Sequence, residues 1–161
     1  MRAAELDRFF SHVIKGPLPE DCWFWVGAIG DDGYGRFWIS RDGRQRAVRP
    51  HRYLYEHVTD REITPGDVLM HDCDVPICVH VDAEPARSHL ALGTRASNMR
   101  DRSSKGRVAN GGSVHRMRGL GRAVLYAHSR ALRAQLLERG FDRGAIGAIL
   151  ADIDPDQPTL F

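Results

Sequence analysis

Three cysteines constrain this 161-residue chain more than any other feature. Two of them lie in the run VLMHDCDVPICVH, residues 68–80, with Cys73 and Cys78 five apart and His71 two residues before the first. An odd count argues against the paired disulfide framework of a small secreted domain. The pair alone reads equally as free thiols or as half of a metal site. Its surroundings favour metal, because Cys22 stands just ahead of one predicted strand and His89 just ahead of another. Cys22, Cys73, Cys78 and His89 make a Cys3His set, a donor combination of closed tetrahedral zinc sites. Every cysteine is then used, and the ion would join distant segments of a small fold.

Hydrophobic residues make up 42% and charged residues 27%, ordinary values for a soluble globular domain. No apolar run approaches the eighteen or so residues of a membrane span, and the charged start MRAAELDRFF is unlike a signal peptide. The expectation is an intracellular, cytoplasmic protein. The net charge of +2 conceals an asymmetry: residues 1–94 carry 11 basic and 15 acidic side chains, whereas residues 95–143 carry 12 basic and 3 acidic. So dense a basic block reads as a surface for a polyanion or as a solvated arginine-rich helix face.

Periodicity predicts the elements. Leu6, Phe9, Phe10, Val13 and Ile14 fall at helical spacing before Gly16-Pro17. CWFWVGAIGDDGYGRFWIS reads as two strands joined through Asp31-Asp32-Gly33, with Trp23, Trp25 and Trp38 as core. Asp42-Gly43 marks a hairpin, and Pro50 opens a short helix. VLMH and HLALGT read as strands, Thr94 caps a helix RASNMRDRSS, and the chain is helical again from about Gly121 with a break at Gly140.

The ordered elements CW-x-W, GYGRF, HR, H-x-C-x4-C, HL-x-LGT and N-x2-D resemble the zinc-containing HNH endonucleases of the His-Cys box, ββα-metal type. The resemblance covers about residues 9–107 and implies an α+β fold: a ββα-metal (HNH, or His-Me finger) nuclease core with a structural zinc site and a C-terminal helical extension. It implies an enzyme that hydrolyses DNA phosphodiester bonds, of phage, mobile-element or restriction type. It implies His71 as general base and Asn98 as ligand of a catalytic Mg²⁺ or Mn²⁺ ion, beside the structural Zn²⁺. A neutral imidazole accepts a proton near neutral pH, and Mg²⁺ needs few protein ligands. His51, in the HR element, reads as an orienting group, a weaker base or a packing histidine. Two positions depart from the pattern. Met70 stands where many relatives carry Asp before the base. VHVDAEPARS inserts six extra residues between Cys78 and His89, so His80 competes as the fourth zinc ligand. A non-catalytic zinc DNA-binding module is the rival reading.

Double-stranded DNA is the expected partner. Arg41, Arg44, Arg46 and Arg49 lie on or near the predicted ribbon, where alternation puts Arg44 and Arg46 on one face and Gln45 on the other. Arg52 belongs to the HR element. Arg100, Arg102, Lys105 and Arg107 follow the catalytic helix as phosphate contacts. The domain reading is a nuclease domain with its zinc site at 1–107, a Gly-rich basic linker at 108–120, a helical extension at 121–152 and an acidic tail at 153–161. The extension, with Asp142 as a cap, reads as a helix-turn-helix module or as a packing arm that also suits a homodimer. The terminal QPTLF resembles peptides that bind the sliding clamp, with Gln157, Leu160 and Phe161 as its anchors.

Overall fold

The computed structural model describes the backbone of residues 3–104 and 114–151 and the side chains of residues 3–100 and 121–151. The expectations for Lys105, Arg107, Gln157, Leu160 and Phe161, and for the side chain of Arg102, lie outside these residues. The fold is mixed α+β. Among the described residues no helix is long and apolar enough to cross a membrane.

Helix α1 (Ala3–Phe10) is shorter than its apolar spacing suggests. Val13 and Ile14 leave it and form strand β1 (Val13–Lys15), antiparallel to β2 (Trp23–Trp25), with Val13 opposite Trp25. Their branched side chains favour the pleated surface once a partner strand is beside them. The Trp-rich stretch makes three strands, not two. β3 (Ala28–Ile29) and β4 (Gly35–Arg41) flank the Asp31–Gly33 turn, and β5 (Arg44–Val48) follows. Asp42 and Gly43, at φ 53° and 72°, form the two-residue turn between β4 and β5. Both residues sit in the left-handed region that such a primed hairpin turn requires.

Helix α2 (Pro50–Thr59) is followed by the hairpin β6 (Val68–His71) and β7 (Leu90–Gly93), with His71 opposite Leu90. Helix α3 (Arg95–Ser104) then packs back on both strands. Thr94 caps it as expected, its Oγ1 accepting the Ser97 N–H at 3.1 Å. A Cβ at Gly93 would lie 2.5 Å from Ser97 Oγ and 2.8 Å from the Met70 methyl carbon, so a larger residue there would push those side chains aside.

The core is built on Phe9, which is fully buried, with ring centroids of Trp25, Phe37 and Tyr53 all 5.2–5.3 Å away. Trp38, expected in the core, is 54% exposed. It alternates with Phe37 and Ile39, and those two take the buried face. Helix α4 (Val114–Arg139) begins seven residues before the predicted start at Gly121, within the segment read as linker. Gly140 ends it at φ 73°, and Asp142 caps α5 (Arg143–Ala151) by accepting the Ala145 N–H at 2.9 Å. Leu132, Leu136 and Ile146 enter the same cluster as Phe9 and Trp25, so the C-terminal helices share the core of the strands. Arg133 fastens α4 further, its Nε donating to the carbonyls of Val26 and Gly27 at 2.9 Å each.

Glu5 ties three elements together. Its carboxylate takes two 2.8 Å hydrogen bonds from Arg41 on β4 and one of 2.8 Å from the Tyr53 hydroxyl on α2. The Arg41 hydrogen bonds, against the opposing push of burial, hold the Glu5 carboxyl at about 2. A carboxyl depressed by folding adds stability above its unfolded value near 4.5, and that stability disappears as pH falls from there towards 2. Glu5→Ala is expected to cost about 2 kcal/mol at pH 7, the scale of charged hydrogen bonds, and little at pH 2. Urea titration of both proteins at the two pH values checks this.

Candidate functional site

Two adjoining clusters stand at the ends of these strands. The first gathers Cys22, Cys73, Cys78 and His89, with one ligand atom from each all within 4.8 Å of one another. Cys22 arrives through β2. The extended stretch after Pro76 adds to that strand, with Trp25 N–H on the Ile77 carbonyl and Val79 N–H on the Trp23 carbonyl, both at 2.8 Å. Phe24 and Cys78 bridge there, which sets Cys78 beside Cys22. Cys73 sits in the turn after β6, where Asp74 adopts φ 58° and Asp72 N–H reaches the His89 carbonyl at 2.9 Å. The His89 N–H returns to the His80 carbonyl at 3.1 Å, so the inserted loop closes on itself before β7.

The donor set fits a closed tetrahedral metal site. His89 Nδ1 is 3.4 Å from Cys22 Sγ and 3.6 Å from Cys78 Sγ. Zinc bonds of ordinary length place a sulfur and a nitrogen roughly 3.6 Å apart. The backbone of Glu20 hydrogen-bonds the His89 ring and orients it, as outer partners of metal-bound histidines do. The thiols respond to one another as crowded donors should. Hydrogen bonds from Cys22 and Cys78 pull the Cys73 thiol down. That same neighbour pushes Cys22 up, and burial pushes Cys78 up. One negative charge opposes the next, and a divalent cation removes that opposition. The cluster can therefore bind a metal such as zinc.

His80 stands outside the cluster. Its Nδ1 pairs with the Asp21 carbonyl at 2.7 Å, and its ring stacks on Trp23 at 4.5 Å with the planes 5° apart. It braces the His89 ring, 4.4 Å away. Asp21, 5% exposed, also accepts Arg143 of α5 at 2.7 Å, which links the metal cluster to the C-terminal helices.

The second cluster holds His51, His71 and Tyr34. The two imidazole centroids are 5.0 Å apart, and the Tyr34 ring lies 5.4 Å from His51 and 6.1 Å from His71. Both His71 ring nitrogens are shut from solvent; the ring helps to pull the Cys73 thiol down, a contact that accounts for at most one nitrogen, and neither has a well-formed hydrogen bond among the described residues. An orphaned buried polar atom costs about 1–3 kcal/mol and calls for a reason. His51 is 4% exposed; burial first, then His71 and the guanidiniums of Arg49, Arg52 and Arg36, push it far below the ordinary histidine range. It stays a neutral imidazole. Asn98 is half-buried in the first turn of α3, its N–H on the Thr94 carbonyl at 2.9 Å, with no side-chain hydrogen bond among the described residues.

Sequence reasoning missed Tyr34 and Asp32. Asp32 accepts Tyr34 N–H at 3.1 Å, Arg36 at 3.0 Å and Arg49 at 2.8 Å, and the Arg49 guanidinium lies over the Tyr34 ring at 4.5 Å. The signal available was Asp32 two residues before Tyr34, a side-chain turn that doubles as an arginine acceptor. Arg44 and Arg100 are exposed, and neither is placed in either cluster.

No family model and no solved structure matches the chain. Two curated phage proteins do. Protein 7.7 of Escherichia phage T7 is 40% identical over 92 residues, covering 57% of this chain and 62% of that protein. Protein 2.8 of the same phage is 32% identical over 90 residues, covering 56% of this chain and 55% of that protein. The chain thus spans between about half and two thirds of the length of these relatives.

Proposed function

We propose that the chain is a metal-dependent DNA endonuclease of the zinc-containing HNH, ββα-metal type, acting in a phage setting like that of its relatives. The observation that carries this reading is the buried imidazole of His71, at least one nitrogen of which has no partner among the described residues. It ends the first strand of a β6–β7–α3 unit, two residues before a cysteine of the metal cluster. An imidazole nitrogen without a protein partner could take a proton from a water brought in with the substrate. His71 would accept that proton as the water oxygen bonds to phosphorus and the bond from phosphorus to the 3′ oxygen breaks.

Neutral His51 and the Tyr34 ring wall His71 in and hold its plane. Arg49, fixed by Asp32 over Tyr34, sets a positive charge one ring away from the base. The unpaired amide of Asn98 is this chain's oxygen donor for a hard cation. A bound Mg²⁺ or Mn²⁺ would supply charge neutralisation at the scissile phosphate and the leaving oxygen. Cys22, Cys73, Cys78 and His89 would hold a separate, structural Zn²⁺ that fixes the turn bearing His71.

The test is incubation of supercoiled plasmid with the purified, zinc-loaded chain, with Mg²⁺ or with Ca²⁺. Nicked or linear product is expected with Mg²⁺ alone, and Asn98→Ala should cut at least about a hundredfold more slowly. A chain that binds duplex and leaves it intact in either metal would be a zinc-stabilised DNA-binding module instead.

A further inference from the structure

The hairpin arginines do not all point where a groove-reading ribbon would send them. Arg46 lies opposite Ile39, and Ile39 belongs to the buried face of β4. Arg46 therefore projects over the side of the hairpin that faces α2, while Trp38, Ser40, Gln45 and Ala47 take the outer side. Between hairpin and helix lies a cleft of about 330 Å³ lined by four guanidinium-bearing residues, Arg41, Arg46, Arg49 and Arg52, over an apolar floor that includes Ile39.

The four arginines fall into two pairs. Arg41 is held by Glu5 at 2.8 Å and Arg49 by Asp32 at 2.8 Å, so their positions are set; Glu5 answers Arg41, whereas Asp32 is shared between Arg49 and Arg36. Arg46 and Arg52 have no hydrogen bond or ion pair among the described residues. The remaining carboxylate in the lining, Glu56, accepts the Ile63 N–H at 2.9 Å. Asp67, the carboxylate on which Arg52 acts, lies outside the cleft lining and takes its ion pair from Arg61 at 3.9 Å. Four guanidiniums line the cleft against the single carboxylate of Glu56, and Arg46 and Arg52 make no ion pair across it, so an anion held there would relieve their repulsion. Guanidiniums match a phosphate in shape and can donate to it in pairs.

We propose that this cleft is a second phosphate site, separate from the histidine cluster, and that it takes a backbone phosphate of the DNA strand near the cut. Arg46 and Arg52 make the contacts, and Arg41 and Arg49 are the fixed walls. Arg52 directly follows His51 along α2. A phosphate held in the cleft would fix the strand's position on the protein without reading sequence. The choice of DNA as ligand rests on the endonuclease reading; the cleft itself does not.

The experiment measures binding of a labelled 16-base-pair duplex by the full zinc-loaded chain in Ca²⁺ across a salt series, together with thymidine 5′-monophosphate as a free-phosphate probe. The double variant R46Q/R52Q is expected to bind duplex about tenfold more weakly near 100 mM salt, with a log–log salt slope shallower by about 1–2. R46K/R52K, which keeps the charge, should retain the slope and lose part of the affinity. Zinc content and melting temperature report whether each variant is folded, and a misfolded double variant is replaced by the two single ones. Unchanged duplex affinity and slope in folded R46Q/R52Q would overturn the proposal. So would arginine-dependent binding of the mononucleotide with arginine-independent binding of duplex, which would make the cleft a nucleotide site. A wild-type chain that binds duplex through these arginines yet never cuts in Mg²⁺ would sink the nuclease reading and leave the cleft standing.

Discussion

Cys73→Ser is expected to cost this chain its cooperative fold. The wild type should carry one tightly bound zinc per molecule, and the variant should lose it. Structural zinc contributes apparent binding energies of about 10–16 kcal/mol in small peptides, as much as the whole net stability of a domain. Losing even about 5 kcal/mol would lower the melting temperature by roughly 10–20 °C at this size. The loss should be concentrated where the ion joins distant segments: Cys22 ahead of β2, Cys73 and Cys78 flanking the turn after β6, and His89 ahead of β7. The cluster without its cation is frustrated, since ionising Cys73 pushes Cys22 up. Zinc retention should accordingly fail as pH falls and protons compete for the sulfurs. Elemental analysis and thermal melts, with and without a chelator, decide the matter. Folded, active protein free of zinc would remove the assignment.

His71→Ala is expected to slow DNA cleavage by roughly two to four orders of magnitude while leaving duplex affinity within about twofold. The substitution removes a ring whose two nitrogens are buried and without a well-formed hydrogen bond among the described residues, and should leave the fold intact or slightly more stable. That combination separates a catalytic role from a packing role: a packing histidine would lower the melting temperature and spare the residual rate. His51→Ala is the natural comparison. Its ring packs against His71 and Tyr34, so its loss should lower both melting temperature and rate. Single-turnover cleavage of a labelled duplex, paired with calorimetric melts, distinguishes the outcomes. If H71A cuts at the wild-type rate and H51A does not, the base is His51.

Features that depend on neighbouring residues were legible in the chain. Asp42-Gly43 makes its hairpin turn because both residues tolerate positive φ. Thr94 and Asp142 cap their helices because a side-chain oxygen there reaches an N–H three residues on. The three sulfur members of the metal cluster were also readable, since donor chemistry leaves few alternatives when a chain holds three cysteines. The competition between His80 and His89 was not readable. Both lie near Cys78 in sequence, and only the fold turns one towards the sulfurs and the other onto Trp23.

What tertiary structure decided has a common cause: each choice depends on a partner remote in the chain. Val13 and Ile14 continue a helical spacing, yet pair as a strand because β2 lies beside them. Trp25 goes inward and Trp38 outward because the phase of each strand is set by the face that meets Phe9. Asp32 becomes a buried anchor because Arg49, 17 residues on, is brought back over Tyr34. The C-terminal helices join the core because Leu132, Leu136 and Ile146 find Phe9 and Trp25, more than 100 residues earlier in the chain. Sequence by itself determined which side chains can bend a turn, cap a helix or hold a metal. Which of them meet was decided by burial, which acts on surfaces that exist only once distant segments are packed together.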